Sequence, residues 1–367
     1  MKRFYLLALA ATLAFTGCKK DDGDPRPENL TIEKTEYALD AVEERTATVA
    51  FTAAADWTLS VVYDDAESSA DWLSVTPMSG TAGEQTVELS AARNFRTSDR
   101  TAYADLVCGE QSVRLTVTQT AASEVVDFTA QFDPGFAKKL QELGIIADAE
   151  HITPADMEKI AAMTELDISG TYENPGAMTS LQGIEYFEAL SKLICYYNSL
   201  TSLDVRANTA LTLLSCSANS LTTLDVSANT ALTELYCSFN SLTSLDVSRN
   251  TALTHLWFNL NQLTELDVSR NTALTHLSCD SNQLESLDVS ANTALTELSC
   301  SSNSLTTLDV SANTKLETLS CDNNPGDGES TFPVTAWFDT KPENLTVNQT
   351  SWTYGGKTIT IDFQKAE

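Results

Sequence analysis

Four ionisable residues, Glu234, His255, His276 and Glu297, recur at intervals of 21 residues. If successive copies lie on adjacent strands about 4.8 Å apart, each glutamate favours the charged form of the histidine beside it, while the histidines disfavour each other's charge. Such a pair titrates as a coupled unit. Two kinds of chemistry follow. Binding could change across the imidazole range, or two imidazoles and a carboxylate could hold a divalent metal, a ligand set that zinc uses. The plainer reading is that the four are solvated surface residues, and we expect neither a metal nor a cofactor.

The neighbouring positions repeat at the same interval. One runs Ile194, Ser215, Tyr236, Trp257, Ser278, Ser299 and Ser320, and the next runs Tyr196, Ser217, Ser238, Asn259, Asp280, Ser301 and Asp322. Serine is the default, and the large residues cluster in the middle copies. Tyr236, His255, Trp257, Asn259, His276 and Asp280 are therefore the candidate ligand-binding residues, because amphipathic aromatics gathered on one surface mark binding sites. Phe239 and Leu260, at the strand ends, are expected to close the coil edge. The chain shows no nucleophile elbow, no phosphate loop, no Cys-x-x-Cys pair and only three histidines, so an enzyme is not expected.

What must position these residues is the repeat itself. Each unit reads L-T-x-L-x-C-x-x-N-x-L-T-x-L-D-V-S-x-N-T-A, and six copies from Leu190 onward keep register without an insertion. Internal periodicity of this kind marks a solenoid, and the pattern resembles the leucine-rich repeat in short form. The resemblance implies coils whose leucines point inward, with the variable strand residues on a concave sheet. Asn198, Asn219, Asn240, Asn261, Asn282, Asn303 and Asn324 form a ladder whose amides satisfy backbone groups at the bend. Cys195, Cys216, Cys237, Cys279, Cys300 and Cys321 share one inward position, where Phe258 fills the vacant place. Free buried thiols are expected, since Phe258 splits the column into two sets of three. Asp204, Asp225, Asp246, Asp267, Asp288 and Asp309 stack on the opposite face and read as solvated, locally hydrogen-bonded carboxylates.

The fold expected is multidomain: an all-β immunoglobulin-like sandwich followed by a leucine-rich repeat solenoid of 21-residue coils with a helical N-terminal cap. Residues 29–121 alternate in short apolar runs such as "TATVAFTAA" and "VRLTVTQTA", as a sandwich does. With Trp57 in "ADWTLSV", the stretch "DWLSVTPMSGTAGEQTVELSA" and Asn94 and Arg100 in "NFRTSDRTA", this segment resembles a BACON domain. The resemblance implies either glycan binding or a spacer. Trp57 and Trp72 would be the sugar platforms, but their strand contexts favour core packing. Residues 128–162 should hold a helical cap, with Phe136, Leu140 and Leu143 on one face and a second helix beginning at Thr153-Pro154. Together with "SLQGIEYFEALSKL", the cap is similar to that of internalin-type repeat proteins. Repeats occupy 163–324, and 325–367 should form a β cap ending in a Gly-Gly hairpin.

The N-terminus reads as a signal peptide over 1–17, too short to span a membrane. Phe15-Thr16-Gly17-Cys18 resembles a bacterial lipobox, which implies lipidation at Cys18, and the acidic tether 18–28 with Asp21-Asp22 resembles the surface-export tag of Bacteroidota lipoproteins. The formal net charge of −29 would repel nucleic acid and anionic lipid headgroups, so the lipid at Cys18 is the only membrane link expected. The expected function is recognition of a protein ligand on the concave repeat face by an outer-membrane lipoprotein facing the cell exterior, with an adhesin-like role. A glycan-binding accessory of a polysaccharide uptake system is the alternative.

Overall fold

The computed structural model describes residues 29–366 except 42–44, 64–71, 96–97 and 122–126. Cys18 and the acidic tether lie outside the described residues. The chain divides into two compact units, one built on the first two sheets and the other on the repeats and their flanking segments.

Two sheets, mainly antiparallel, occupy the region of residues 30–119. One holds Leu30–Ile32, Thr46–Ala53, Gly83–Ala91 and Leu73–Thr76, and the other holds Glu36–Leu39, Gln111–Gln119, Arg100–Cys108, Trp57–Tyr63 and Ser79–Gly80. Alternation drives them together: Val49, Phe51, Ala53, Val87 and Leu89 are buried while their strand neighbours face outward. Phe51 meets Trp57 of the other sheet edge-on, with ring centroids 5.0 Å apart. Gly80 is required beneath that indole, because a Cβ there would lie 2.7 Å from it. Trp57 and Trp72 are both buried, so neither offers a face on which a sugar could stack.

In the second unit, helices α1 (Pro134–Glu142) and α2 (Pro154–Ala162) precede the repeats. Asp133 caps α1 through the N–H groups of Gly135 and Phe136, and Thr153 with Asp156 makes a capping box at α2. Phe136, Leu140, Met157 and Ile160 join the same buried core as the repeat leucines. Leu143, expected on that face, is instead 45% exposed where α1 ends. The helix ends at Glu142, so Leu143 is its C-cap rather than a residue of the buried face.

The repeats make a nine-stranded, largely parallel sheet running from Glu165–Asp167 to Thr346–Val347. Most strands are only three residues long, and from Lys192–Ile194 to Thr318–Ser320 each pairs in register with its equivalent 21 residues on, as Glu234, Leu235 and Tyr236 pair with His255, Leu256 and Trp257. The middle leucine points inward and its two neighbours point outward. Asn219 shows how each coil bends: its Nδ2 donates to the carbonyls of Cys195 and Cys216, while its Oδ1 accepts from Leu200 N. Before each ladder asparagine stands a residue with positive φ: Tyr197, Ala218, Phe239, Leu260, Ser281, Ser302 or Asn323.

A second asparagine ladder, not anticipated from the repeat pattern, lies on the other bend. Asn208, Asn229, Asn250, Asn271, Asn292 and Asn313 are fully buried. Asn229 Nδ2, for example, donates to the carbonyls of Val205 and Asn208. The aspartates near this bend are exposed, and each accepts from the backbone N–H two residues on, as Asp246 does from Ser248. All six repeat cysteines are buried and free, and burial pushes the Cys216 thiol up to about 12. At the far end, Leu308–Asp309, Thr331–Ala336, Lys357–Lys365 and Ser351–Tyr354 form a separate sheet, with the hairpin turning at Gly355-Gly356.

Phe258 has no exposed surface, whereas its neighbour Trp257 is 42% exposed. Phe258→Ala should leave a core cavity and cost about 3–5 kcal/mol in chemical denaturation. A loss below about 1 kcal/mol would show that the cysteine column collapses onto the gap.

Candidate functional site

The outward face of the parallel sheet carries the candidate residues, and register brings them together. His255 and His276 stack with ring centroids 4.3 Å apart and planes only 12° off parallel. Glu234 lies opposite His255 on one side, and Glu297 lies opposite His276 on the other. Trp257 meets Tyr236 edge-on at 5.0 Å.

The hydrogen bonds fix which imidazole nitrogens carry protons. Thr254 Oγ1 donates to Thr233 O at 3.0 Å and lies 2.9 Å from His255 Nδ1. Thr275 Oγ1 donates to Thr254 O at 3.1 Å and lies 2.8 Å from His276 Nδ1. A hydroxyl has one proton, already given to a carbonyl, so each Nδ1 must be the donor. In the neutral imidazoles the lone pair is therefore on Nε2. For His276 that nitrogen stands 3.5 Å from Glu297 Oε1. Two acceptors face each other across this gap until a proton or another donor enters it.

Burial, and then the neighbouring His276, hold the His255 imidazole below its usual range, while Glu234 and Glu297 pull it back up. Tyr236 donates to Glu234 Oε2 at 2.7 Å. Burial, and then that carboxylate, push its phenol well above the ordinary tyrosine range. Both Nδ1 atoms are held by threonines, and among the described residues no three His, Cys, Asp or Glu side chains converge to hold a metal ion.

Asn259 and Asp280 brace the sheet as well as lining it. Asn259 Oδ1 accepts from Asp280 N and from Ser278 Oγ, both at 2.9 Å. Asp280 Oδ1 accepts from Ser301 N at 2.7 Å, and both carboxylate oxygens accept from Ser299 Oγ. Burial raises the Asp280 carboxyl against the pull of those hydrogen bonds. Beside Trp257 a hollow of about 330 Å³ is floored by Ser278, Ser299 and Ser320, walled by His276 and Glu297, and closed by Asn348 of the C-terminal segment.

Phe239 and Leu260 differ from the expectation that they close the coil edge. They are 57% and 45% exposed, and each has positive φ. Ala, Ser or Asn fills the corresponding place in most other coils, and a bulky side chain in the left-handed region is strained. Their signal in the sequence was size at a place where the other copies are small. Asn348 had no such signal, since it arrives from outside the repeat.

Residues 29–122 match the family described as viral BACON domain, so the chain carries a BACON-type domain over roughly a quarter of its length. Among solved structures, the chain is similar to the functional domain of internalin J from Listeria monocytogenes, described as including a cysteine ladder. That match has 30% identity and a TM-score of 0.37, covering 65% of this chain and 61% of that one. A plant ice-binding protein matches at 18% identity and TM-score 0.42, covering 59% and 69% of the two chains. The leucine-rich repeat domain of APL1B matches at 17% and 0.34, covering 59% and 82%. This chain thus spans less than two thirds of the internalin J domain. No curated protein matches it.

Nitrogen-15 spectra at about pH 8 should show both stacked histidines as the Nδ1–H tautomer. Thr254→Val should mix the tautomers of His255 alone. On acidification His255 should gain its proton below the free-imidazole value of about 6.5. Because the folded chain then binds fewer protons there than the unfolded chain, this site's stability is present above that value and declines as the pH falls toward the lowered one. An Nε2–H majority in the wild type would refute the donor assignment.

Proposed function

We propose that the chain is a non-catalytic recognition protein that binds a protein ligand through the outward face of its repeat sheet, with Trp257 at the centre. One contrast carries this reading: Phe258 fills the core while the adjacent Trp257 stands 42% exposed. Such an indole packs edge-on against Tyr236 yet adds nothing to the core that Phe258 fills. It has the composition of an interface hot spot. The scaffold suits binding, since repeat arrays present long surfaces whose residues vary without disturbing the core.

A surface location belongs to the same proposal. The N-terminal lipobox resemblance at Cys18 would anchor the chain in the outer membrane facing the cell exterior, with the BACON-type domain as a spacer. An adhesin-like role follows, in keeping with the internalin resemblance. A glycan is the second reading, favoured by Tyr236 and Trp257 as stacking platforms beside a serine-lined hollow. A glycan array run against pull-down of purified cell-surface proteins separates the two.

Trp257→Ala should weaken ligand capture by about 2 kcal/mol or more while leaving the thermal midpoint nearly unchanged. Unimpaired capture would remove Trp257 from the interface. Cys18→Ala should leave an uncleaved or soluble precursor, and fractionation that still places it in the membrane would remove the anchor.

A further inference from the structure

The hollow beside Trp257 has a polarity that follows from where its protons already go. Ser278 Oγ is bound to donate to Asn259 Oδ1, because that oxygen also accepts from Asp280 N. Ser299 Oγ faces both carboxylate oxygens of Asp280 and donates to them. The hydroxyl oxygens of Ser278 and Ser299 are thereby left with lone pairs, while Ser320 Oγ already accepts from Asn348 Nδ2 at 2.8 Å. In the wall, neutral His276 presents its Nε2 lone pair 3.5 Å from the Glu297 carboxylate. At Ser278, Ser299, His276 and Glu297 the unmet demand is for donors.

Charge and shape select the kind of donor. Lys192 is the only cation on the outward face of the strands from Lys192–Ile194 to Thr318–Ser320, and the whole chain carries −29. The indole of Trp257 lines the same hollow, and an aromatic face attracts a cation above it. A planar guanidinium can stack on the ring while its fork of N–H groups reaches the carboxylate and the lone pairs.

We propose that this hollow receives a basic side chain, preferentially arginine, projecting from the protein ligand, with Trp257 as its stacking face and Glu297 as its anionic partner. The proposal rests on the recognition reading above and names the chemistry of the contact.

The test uses the full chain with the Trp257 indole N–H resonance assigned through Trp257→Phe. The probes are N-acetylarginine amide, its neutral isostere N-acetylcitrulline amide, and methyl glucoside. Arginine amide should shift the resonance with millimolar affinity, citrulline amide should bind at least about fivefold more weakly, and Glu297→Gln should remove most of that difference. Equal binding of arginine and citrulline, tighter binding of the glucoside, or no shift with any probe would each overturn the proposal. If capture of the protein ligand still depends on Trp257 in that case, the recognition reading stands and only the cation site falls.

Discussion

Every coil of the repeat buries backbone groups at two bends where neither strand nor helix can satisfy them, and asparagine amides supply the missing partners. Asn219 ties the carbonyls of two successive coils at one bend, and Asn229 does the same at the other. A buried unpaired peptide group costs about 1–3 kcal/mol, so a chain with several such groups per coil has little freedom to drift in register. The residue before each ladder asparagine at the first bend takes positive φ for the same reason. Strand equivalence, and with it every column on the outward face, follows from these bonds. His255 stacks on His276, and Trp257 meets Tyr236, because their coils are locked in this way.

Much of this was legible before any coordinates. The 21-residue period placed the strand columns, and the paired registers agree with them residue for residue. Thr153-Pro154 marked the start of α2, because a capping side chain followed by proline has few other uses. The second asparagine ladder was equally regular in the sequence. It went unread because Asn in "SxNTA" looks like turn chemistry, and only three-dimensional packing shows that Asn250 and its equivalents are fully buried.

The parts of the site that were not legible are those set by direction rather than by position. A column of Glu, His, His and Glu can be read from spacing, but the tautomer depends on Thr254 and Thr275 giving their protons to carbonyls one coil back. Likewise, Asp280 reads as an open carboxylate in the sequence, while the structure has Ser299 and Ser301 both donating to it. Asn348 closes the hollow from a segment whose fold the repeat pattern does not describe. Hydrogen-bond direction is collective: one donor's choice propagates along a stack, and no single residue type reveals it.

The same constraint that fixes the scaffold also leaves the outward face free to vary from coil to coil. Inward positions are held by leucine, cysteine and asparagine, so a change there is felt through packing. Outward positions touch one another within and between columns rather than the core, and serine serves wherever nothing larger is needed. Departures from serine are therefore informative. Tyr236 and Trp257 add apolar surface, and Phe239 and Leu260 accept the left-handed backbone that Ala218 or Asn323 tolerates more easily. Strain at a solvent-exposed residue brings no stability, so Phe239 and Leu260 are departures that the fold itself does not explain. In this chain those residues lie on the two consecutive coils whose strands carry Tyr236 and Trp257. Two unrelated departures, exposed aromatic area and tolerated strain, thus converge on one patch of an otherwise uniform surface.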